Sequence, residues 1–114
     1  MISLKKLFTP VQSINADETK TLIAGQTEGA YTLLDVRQPG EYESEHIPGA
    51  KLIPLPDLKD GYSQLDSLKP VIVYCRSGSR SLAAAQLLSG LGFNEIYNLQ
   101  GGINGFVRIL HGYS

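Results

Sequence analysis

Short apolar runs alternate along the chain with segments of helical periodicity, and Gly or Pro residues separate most of them. The uncharged, largely β-branched run Val71–Tyr74 predicts a central strand. Similar runs at residues 31–36 and 50–53 predict two more strands. Weaker runs at Val11–Ile14 and residues 96–97 predict an edge strand and a last strand. The pattern therefore indicates a sheet built from short strands.

The first two helices are indicated by residues that favour helix starts and stops. Asn15 followed by Glu18 is the pattern of a capping box, and Gly25 is a suitable end, so a helix is predicted between them. Pro39 suits the first turn of a short helix that runs through Ser44. Each predicted helix follows a predicted strand.

The later helices are predicted from apolar spacing and from glycines. Gly61 divides the region 55–68, Gly92 ends a long amphipathic segment, and Gly101 and Gly102 form a tight turn. The predicted helices cover residues 63–68, 81–91 and 103–110. Two alternative apolar faces fit the middle helix, namely Leu82, Ala85, Leu88 and Leu91 or Ala84, Leu87, Leu88 and Leu91.

Strands that alternate with helices at this spacing predict an α/β sandwich around a mostly parallel sheet. In such sheets the ligand site lies beyond the carboxyl ends of the strands. Cys75 directly follows the predicted central strand, so we expect it at that end of the sheet.

Composition narrows the possible classes of protein. The chain has 114 residues, 42% hydrophobic and 18% charged, which predicts one globular domain over residues 1–114 with a core at about residues 11–108. A net charge of -1 gives no reason to expect nucleic acid or an anionic membrane as partner. No run approaches the roughly 18 apolar residues of a membrane span, and the first residues lack the apolar segment of a signal peptide. We therefore expect a cytoplasmic protein.

The chain contains one cysteine, Cys75, and two histidines that are distant in sequence, His46 and His111. One cysteine excludes an internal disulfide and a cysteine-rich zinc site, and no metal is expected. An unpaired cysteine is usually an inert, buried side chain. The residues around Cys75 argue against that interpretation, because the segment that follows is polar and charged: Arg76, Ser77, Gly78, Ser79, Arg80 and Ser81.

This segment has the composition of an anion-binding loop. Gly78 allows a tight turn, and successive N–H groups of such a loop form a concave nest for an anion. The N-terminus of the following helix adds a positive partial charge. Cysteines in such surroundings have pKa values lowered from about 8.5 to between roughly 3.5 and 7.5. A thiolate is therefore expected without a partner base, and the pattern of a nucleotide-binding P-loop is absent.

Four segments together resemble the rhodanese-like domains, specifically the small single-domain sulfurtransferases. They are residues 34–37 with Glu41 and Tyr42, residues 46–50, residues 73–81 and residues 99–103. The segments occur in the order and spacing of that family. One departure is the Trp that is common shortly after the Gly-Gly turn in the family. This chain has no Trp, and Phe106 is the residue expected to fill the space.

The resemblance implies a three-layer α/β sandwich with a central, mostly parallel sheet of about five strands. It implies that Cys75 accepts a sulfane sulfur as a persulfide and passes it to a nucleophile, with no cofactor. Thiosulfate is the implied donor, and cyanide, a thiol or a sulfur-accepting protein is the implied acceptor. The substrate-binding loop would comprise Arg76, Ser77, Gly78, Ser79 and Arg80.

Individual roles follow as hypotheses from the same resemblance. The N–H groups of Ser77, Gly78, Ser79 and Arg80 are expected to point inward. Arg76 is expected near the entrance, where it either attracts thiosulfate or is a solvated surface charge. Arg80 either binds substrate or ties the loop to Asp35, and the second interpretation is preferred. The supporting polar network is expected to comprise Asp35, Arg37, Glu41 and His46.

Three other functions remain open at this point. The first is a non-enzymatic sensor or docking module, although inactive rhodanese-like domains typically lack the cysteine. The second is a small phosphatase or arsenate reductase, whose loop is one residue longer than the segment between Cys75 and Arg80. The third is a redox thiol switch, which the absence of a second, resolving cysteine disfavours.

Overall fold

A computed structural model describes residues 8–110, and side chains through residue 106. His111 and the end of the chain lie outside the described residues. The strands are β1 (Val11–Ile14), β2 (Thr32–Asp35), β3 (Lys51–Leu52), β4 (Val71–Tyr74) and β5 (Ile96–Leu99). The helices are α1 (Ala16–Ala24), α2 (Pro39–Ser44), α3 (Leu55–Gly61), α4 (Ser79–Ser89) and α5 (Gly102–Leu110). Among residues 8–110, no helix is long and apolar enough to cross a membrane.

All five strands pair in parallel in the order β1-β5-β4-β2-β3, which confirms the predicted α/β architecture. The central strand β4 lies between β2 and β5, with Val73 paired to Leu34 on one side and to Asn98 on the other. Because the strands are parallel, their carboxyl ends meet at one edge of the sheet, and the loop that begins at Cys75 is in the middle of that edge.

Two apolar clusters, one on each face of the sheet, make this a three-layer structure. On one face the strands pack against α3 and α4 through Leu58, Ala85 and Leu88. On the other face they pack against α1 and α5. Phe106 is buried in this second cluster.

Strand β4 is buried along its whole length because both faces of the sheet are covered. Its side chains alternate between the faces, with Val73 and then Cys75 in the cluster beside α4 and Tyr74 in the other. The Tyr74 hydroxyl accepts a hydrogen bond from the Ile47 amide at 3.1 Å. The backbone alternation thus points Cys75 toward the helix that follows its own loop.

Helix α4 begins two residues before the predicted start and has Gly90, not Gly92, at its C-cap. Both predicted apolar faces were partly wrong, because Leu82 and Leu87 are exposed. The buried face instead consists of Ser81, Ala84, Ala85 and Leu88. The earlier start has a local cause: Gly78 is the N-cap with φ of 115°, which turns the chain into the helix directly after the loop.

The region between β3 and β4 also differs from prediction. The expected helix near residues 63–68 is wrong, since α3 lies earlier and only a 3-10 turn, Tyr62–Gln64, follows it. A proline in the first turn of α3 favours a start there, because its missing N–H would have no helical partner anyway. Gly61 is the last residue of α3 and the N-cap of the 3-10 turn, so it divides the region as predicted.

Candidate active site

Cys75 is buried, with 1% of its surface exposed, but its sulfur is not surrounded only by aliphatic groups. The Gly78 amide donates a hydrogen bond to Sγ over 3.1 Å, and the Ser81 hydroxyl lies 3.4 Å from Sγ. The sulfur therefore occupies the base of a polar cradle formed by the loop and the first turn of α4.

These contacts determine the acidity of the thiol. Burial raises the pKa of Cys75, but its hydrogen bond with the Ser81 side chain and the effect of the Ser81, Gly78 and Ser77 amides outweigh burial. The net pKa is lower than that of an ordinary thiol. The N-terminus of α4 adds a positive partial charge on the same side. The surroundings thus favour a sulfur anion over a neutral thiol.

The opposite side of the loop is held by α5. The Cys75 carbonyl accepts a hydrogen bond from the Ile103 amide at 2.9 Å, and the Arg76 carbonyl accepts one from Asn104 at 3.3 Å. With these carbonyls directed at α5, the N–H groups of the loop are free to face the sulfur.

This contact requires a glycine at the start of α5. A Cβ on Gly102 would lie 2.4 Å from the Arg76 carbonyl oxygen and 2.6 Å from that of Cys75. Both atoms belong to backbone and cannot move aside cheaply. The Gly-Gly turn predicted from the sequence therefore has a specific use, since it lets α5 approach the loop closely.

At the rim of the cradle, Glu41 of α2 contacts both loop arginines. Arg80 makes two bonds to its carboxylate, at 2.8 and 3.1 Å, and Arg76 Nε lies 3.4 Å from Oε2. The hydrogen bond from Arg80 lowers the pKa of Glu41 from 4.5 to about 2. The expectation that Arg80 pairs with Asp35 is wrong in its partner: Arg80 ties the loop to α2.

Asp35 is engaged elsewhere. Its carboxylate accepts bonds from the side chain of Arg37, the shortest at 2.7 Å, and from the Arg37 amide at 2.9 Å. Arg37 also donates to the Glu45 carbonyl at 2.6 Å and lies over the Tyr74 ring. Both side chains are buried. This pair braces the end of β2 beneath the segment that carries Glu41.

His46 is exposed and does not join either pair. Its ring stacks on Tyr42 with centroids 3.8 Å apart, and Nδ1 lies 2.9 Å from the Tyr42 carbonyl. The four supporting residues predicted from the sequence therefore form three separate contacts and not one network. For the amides of Ser79 and Arg80 the described structure records no bond to the sulfur, so their inward orientation stays a prediction.

Sequence reasoning assigned no role to Ser81, which contacts the sulfur, or to Asn98, which contacts Ser81. The Ser81 hydroxyl is 2.6 Å from Asn98 Oδ1, and both residues are buried. Spacing carried a usable signal for each. Ser81 precedes Ala84, Ala85 and Leu88 by three, four and seven residues, which places it on the buried face of α4. Asn98 lies two positions after Ile96 in β5 and therefore shares its face of the sheet.

The arrangement can hold an anionic sulfur and an anion bound to it. It supplies hydrogen-bond donors at the base, two guanidinium groups at the rim, and one carboxylate between them. In the described part of the chain, no group of three or more His, Cys, Asp or Glu side chains is arranged to hold a metal ion.

Comparison with known proteins gives a consistent result. The family model of the rhodanese-like domain matches residues 16–109. The uncharacterized protein YqhL of Bacillus subtilis is 45% identical over 86 residues, which are 73% of this chain and 68% of that protein.

Solved structures agree with the family match. A rhodanese-related protein from Thermoplasma volcanium is 37% identical, with a TM-score of 0.75, over 90% of this chain and 95% of its own. The human single domain sulfurtransferase TSTD1 is 26% identical, with a TM-score of 0.73, over 84% of this chain and 95% of its own.

Proposed function

Because this chain belongs to the rhodanese-like domain family, we propose that it is a sulfurtransferase that carries a sulfane sulfur on Cys75. The observation that supports the proposal best is the contact of Sγ with the Ser81 hydroxyl and the Gly78 amide, which lowers the pKa of the thiol. A thiolate is the form of cysteine that attacks sulfur. The similarity to a protein named as a sulfurtransferase is further support.

The proposed reaction has two steps. The Cys75 thiolate attacks the outer sulfur of thiosulfate, a new S–S bond forms, and the S–S bond of thiosulfate breaks as sulfite leaves with its electron pair. The product is an anionic persulfide, Cys75–S–S⁻. An acceptor such as cyanide then attacks the outer sulfur and leaves as thiocyanate, which regenerates the thiolate. A thiol or a sulfur-accepting protein is the alternative acceptor.

The rim favours sulfur transfer over phosphate chemistry. A phosphate-cleaving site needs an arginine whose guanidinium faces the oxygens of the transferred group. Here both bonds of the Arg80 fork are made to Glu41. The loop also holds only four residues between Cys75 and Arg80, which leaves a small cradle. A cytoplasmic location, where thiols stay reduced, is part of the proposal.

Mass spectrometry after incubation with thiosulfate tests the proposal directly. The wild-type protein should gain one sulfur atom and release sulfite, and cyanide should remove that atom as thiocyanate. Cys75→Ser should gain nothing while keeping the wild-type melting temperature. Ser63→Ala, which replaces an exposed serine in the 3-10 turn after α3, is the matched control and should still load.

A different outcome would identify another function. No adduct together with hydrolysis of an aryl phosphate would favour a phosphatase. The absence of both would contradict any Cys75-based catalysis of these kinds and favour a docking module.

A further inference from the structure

The Ser81 hydroxyl has three polar neighbours but only one proton to donate. It lies 2.6 Å from Asn98 Oδ1, 3.1 Å from the Gly78 carbonyl and 3.4 Å from Cys75 Sγ. A hydroxyl donates one hydrogen bond and accepts up to two. In the arrangement recorded here, the Ser81 proton points at an oxygen, and Sγ donates its own proton to Ser81 Oγ.

This arrangement of hydrogen bonds is possible only while the sulfur carries a proton. A thiolate or a persulfide anion has no proton to give, so Ser81 must turn its O–H toward the sulfur to bond with it. Oγ would then face Asn98 Oδ1 across 2.6 Å with no proton between the two oxygens. Two acceptors in such close contact repel, and both residues are buried, so water is not a ready substitute donor.

A side-chain amide resolves this conflict. It carries an acceptor at one end and a donor at the other, and rotation about its last torsion exchanges them. We propose that Ser81 and Asn98 form a hydrogen-bond relay that reverses its direction when Cys75 loses its proton. With the anion present, Asn98 donates its N–H to Ser81, and Ser81 donates its O–H to the sulfur. The released sulfur proton goes to bulk water.

Asn98 is therefore a positioning residue for the sulfur anion and acts through Ser81. It reaches this place from β5, where it pairs with Val73, two residues before Cys75. The charged groups around the site are Arg76 in the loop, Arg80 on α4 and Glu41 on α2, together with the Asp35–Arg37 pair at the end of β2. They are unchanged in the variants below, so their effect on the titration is common to all of them. The inference rests on the proposed function, since only a cysteine that must become anionic uses such a relay.

The test is a titration of Cys75 by the ultraviolet absorbance of its thiolate, with Cys75→Ser as the blank. The chain has one cysteine, so the signal is assignable. Ser81→Ala should leave about tenfold less thiolate at a pH below the midpoint, because a hydrogen bond to a charged group is lost. Asn98→Leu should move the midpoint in the same direction. In the Ser81→Ala background, Asn98→Leu should add nothing, because its connection to the sulfur is already gone.

The relay would be overturned if Asn98→Leu shifted the Cys75 midpoint equally with and without the Ser81 hydroxyl. It would also be overturned if the single variant Asn98→Leu titrated like the wild type. If Asn98→Leu does not fold, Asn98→Val, which suits a strand, replaces it in the same comparison. A purely structural role of Asn98 would change the melting temperature without this dependence on Ser81. Thiosulfate is not used, so a relay that titrates as expected in a protein that forms no persulfide would refute the proposed function alone.

Discussion

Two arginine–carboxylate pairs lie near Cys75. They contain the same chemical groups but differ in burial and in the sequence separation of their partners. The interior pair, Asp35–Arg37, joins residues two positions apart, and its side chains are 0% and 5% exposed. The rim pair, Glu41–Arg80, joins residues 39 positions apart, and its side chains are 18% and 35% exposed.

The difference separates stability from substrate recognition. A buried charge that loses its partner is left without compensation, so each member of the interior pair depends strongly on the other. A partly exposed pair contributes little to stability because water and salt screen it. The rim pair instead sets how much positive charge the loop presents to an incoming anion. The interior pair is thus expected to govern folding, and the rim pair to govern affinity.

The largest effect is expected from breaking the interior pair on one side only. Asp35→Ala should lower the free energy of unfolding by about 3–5 kcal/mol, because Arg37 stays buried without its carboxylate. Urea denaturation followed by circular dichroism measures the loss. The double variant Asp35→Ala/Arg37→Met should lose less than Asp35→Ala alone, since no unpaired charge remains.

The exposed Glu28 provides the control for that experiment. Glu28→Ala also removes one carboxylate and should stay within about 0.5 kcal/mol of wild type. A comparable loss in both variants would mean that burial of the interior pair is not the cause.

The rim pair should respond through the KM for thiosulfate, and with opposite signs for its two members. Glu41→Gln frees the positive charge of Arg80 and should lower KM about two- to fivefold, the equivalent of ~0.5–1 kcal/mol. Arg80→Gln leaves the Glu41 charge uncompensated and should raise KM by a similar factor. The double variant should return toward the wild-type value. Changes of the same sign in both single variants would contradict a charge-based role for the pair.

Acid should remove the contribution of the rim pair to stability. The hydrogen bond from Arg80 holds the pKa of Glu41 at about 2, below its ordinary 4.5. A lowered carboxyl pKa adds stability above the ordinary pKa, and this is lost as pH falls from about 4.5 toward 2. The stability difference between wild type and Glu41→Gln should therefore shrink across that range in urea titrations at fixed pH. A difference independent of pH would show that the ionised carboxylate is not its source.

The two pairs also mark what could be predicted from the sequence. Local patterns sufficed for the strand Val71–Tyr74, the capping box of Asn15 and Glu18, and the place of Cys75 at the carboxyl edge of the sheet. Each depends on residues close together in the chain. The partner of Arg80 does not, because Glu41 meets it only after α2 and α4 have packed on the sheet.

The phase of α4 explains the other omissions. Its predicted face relied on leucines, but the start at Ser79 turns Leu82 toward solvent and Ser81 toward the sulfur. Spacing can place Ser81 on the buried face, but it does not identify its partner, Asn98, which lies on a strand that ends two residues later than predicted. Polar groups inside a fold depend on tertiary pairing, which periodicity does not encode.

The smallest effect is expected at Arg76, the one member of the rim whose side chain is mostly exposed, at 63%. Arg76→Gln should leave the melting temperature unchanged and raise the KM for thiosulfate about twofold, because a screened charge near the entrance still attracts a dianion. The rise should vanish at about 1 M salt, where the screening length falls to ~3 Å. Lys69→Gln removes a positive charge just before β4, at the opposite end of that strand, and should not change KM. Equal effects at the two positions would mean that net charge, and not the place of Arg76, attracts the substrate.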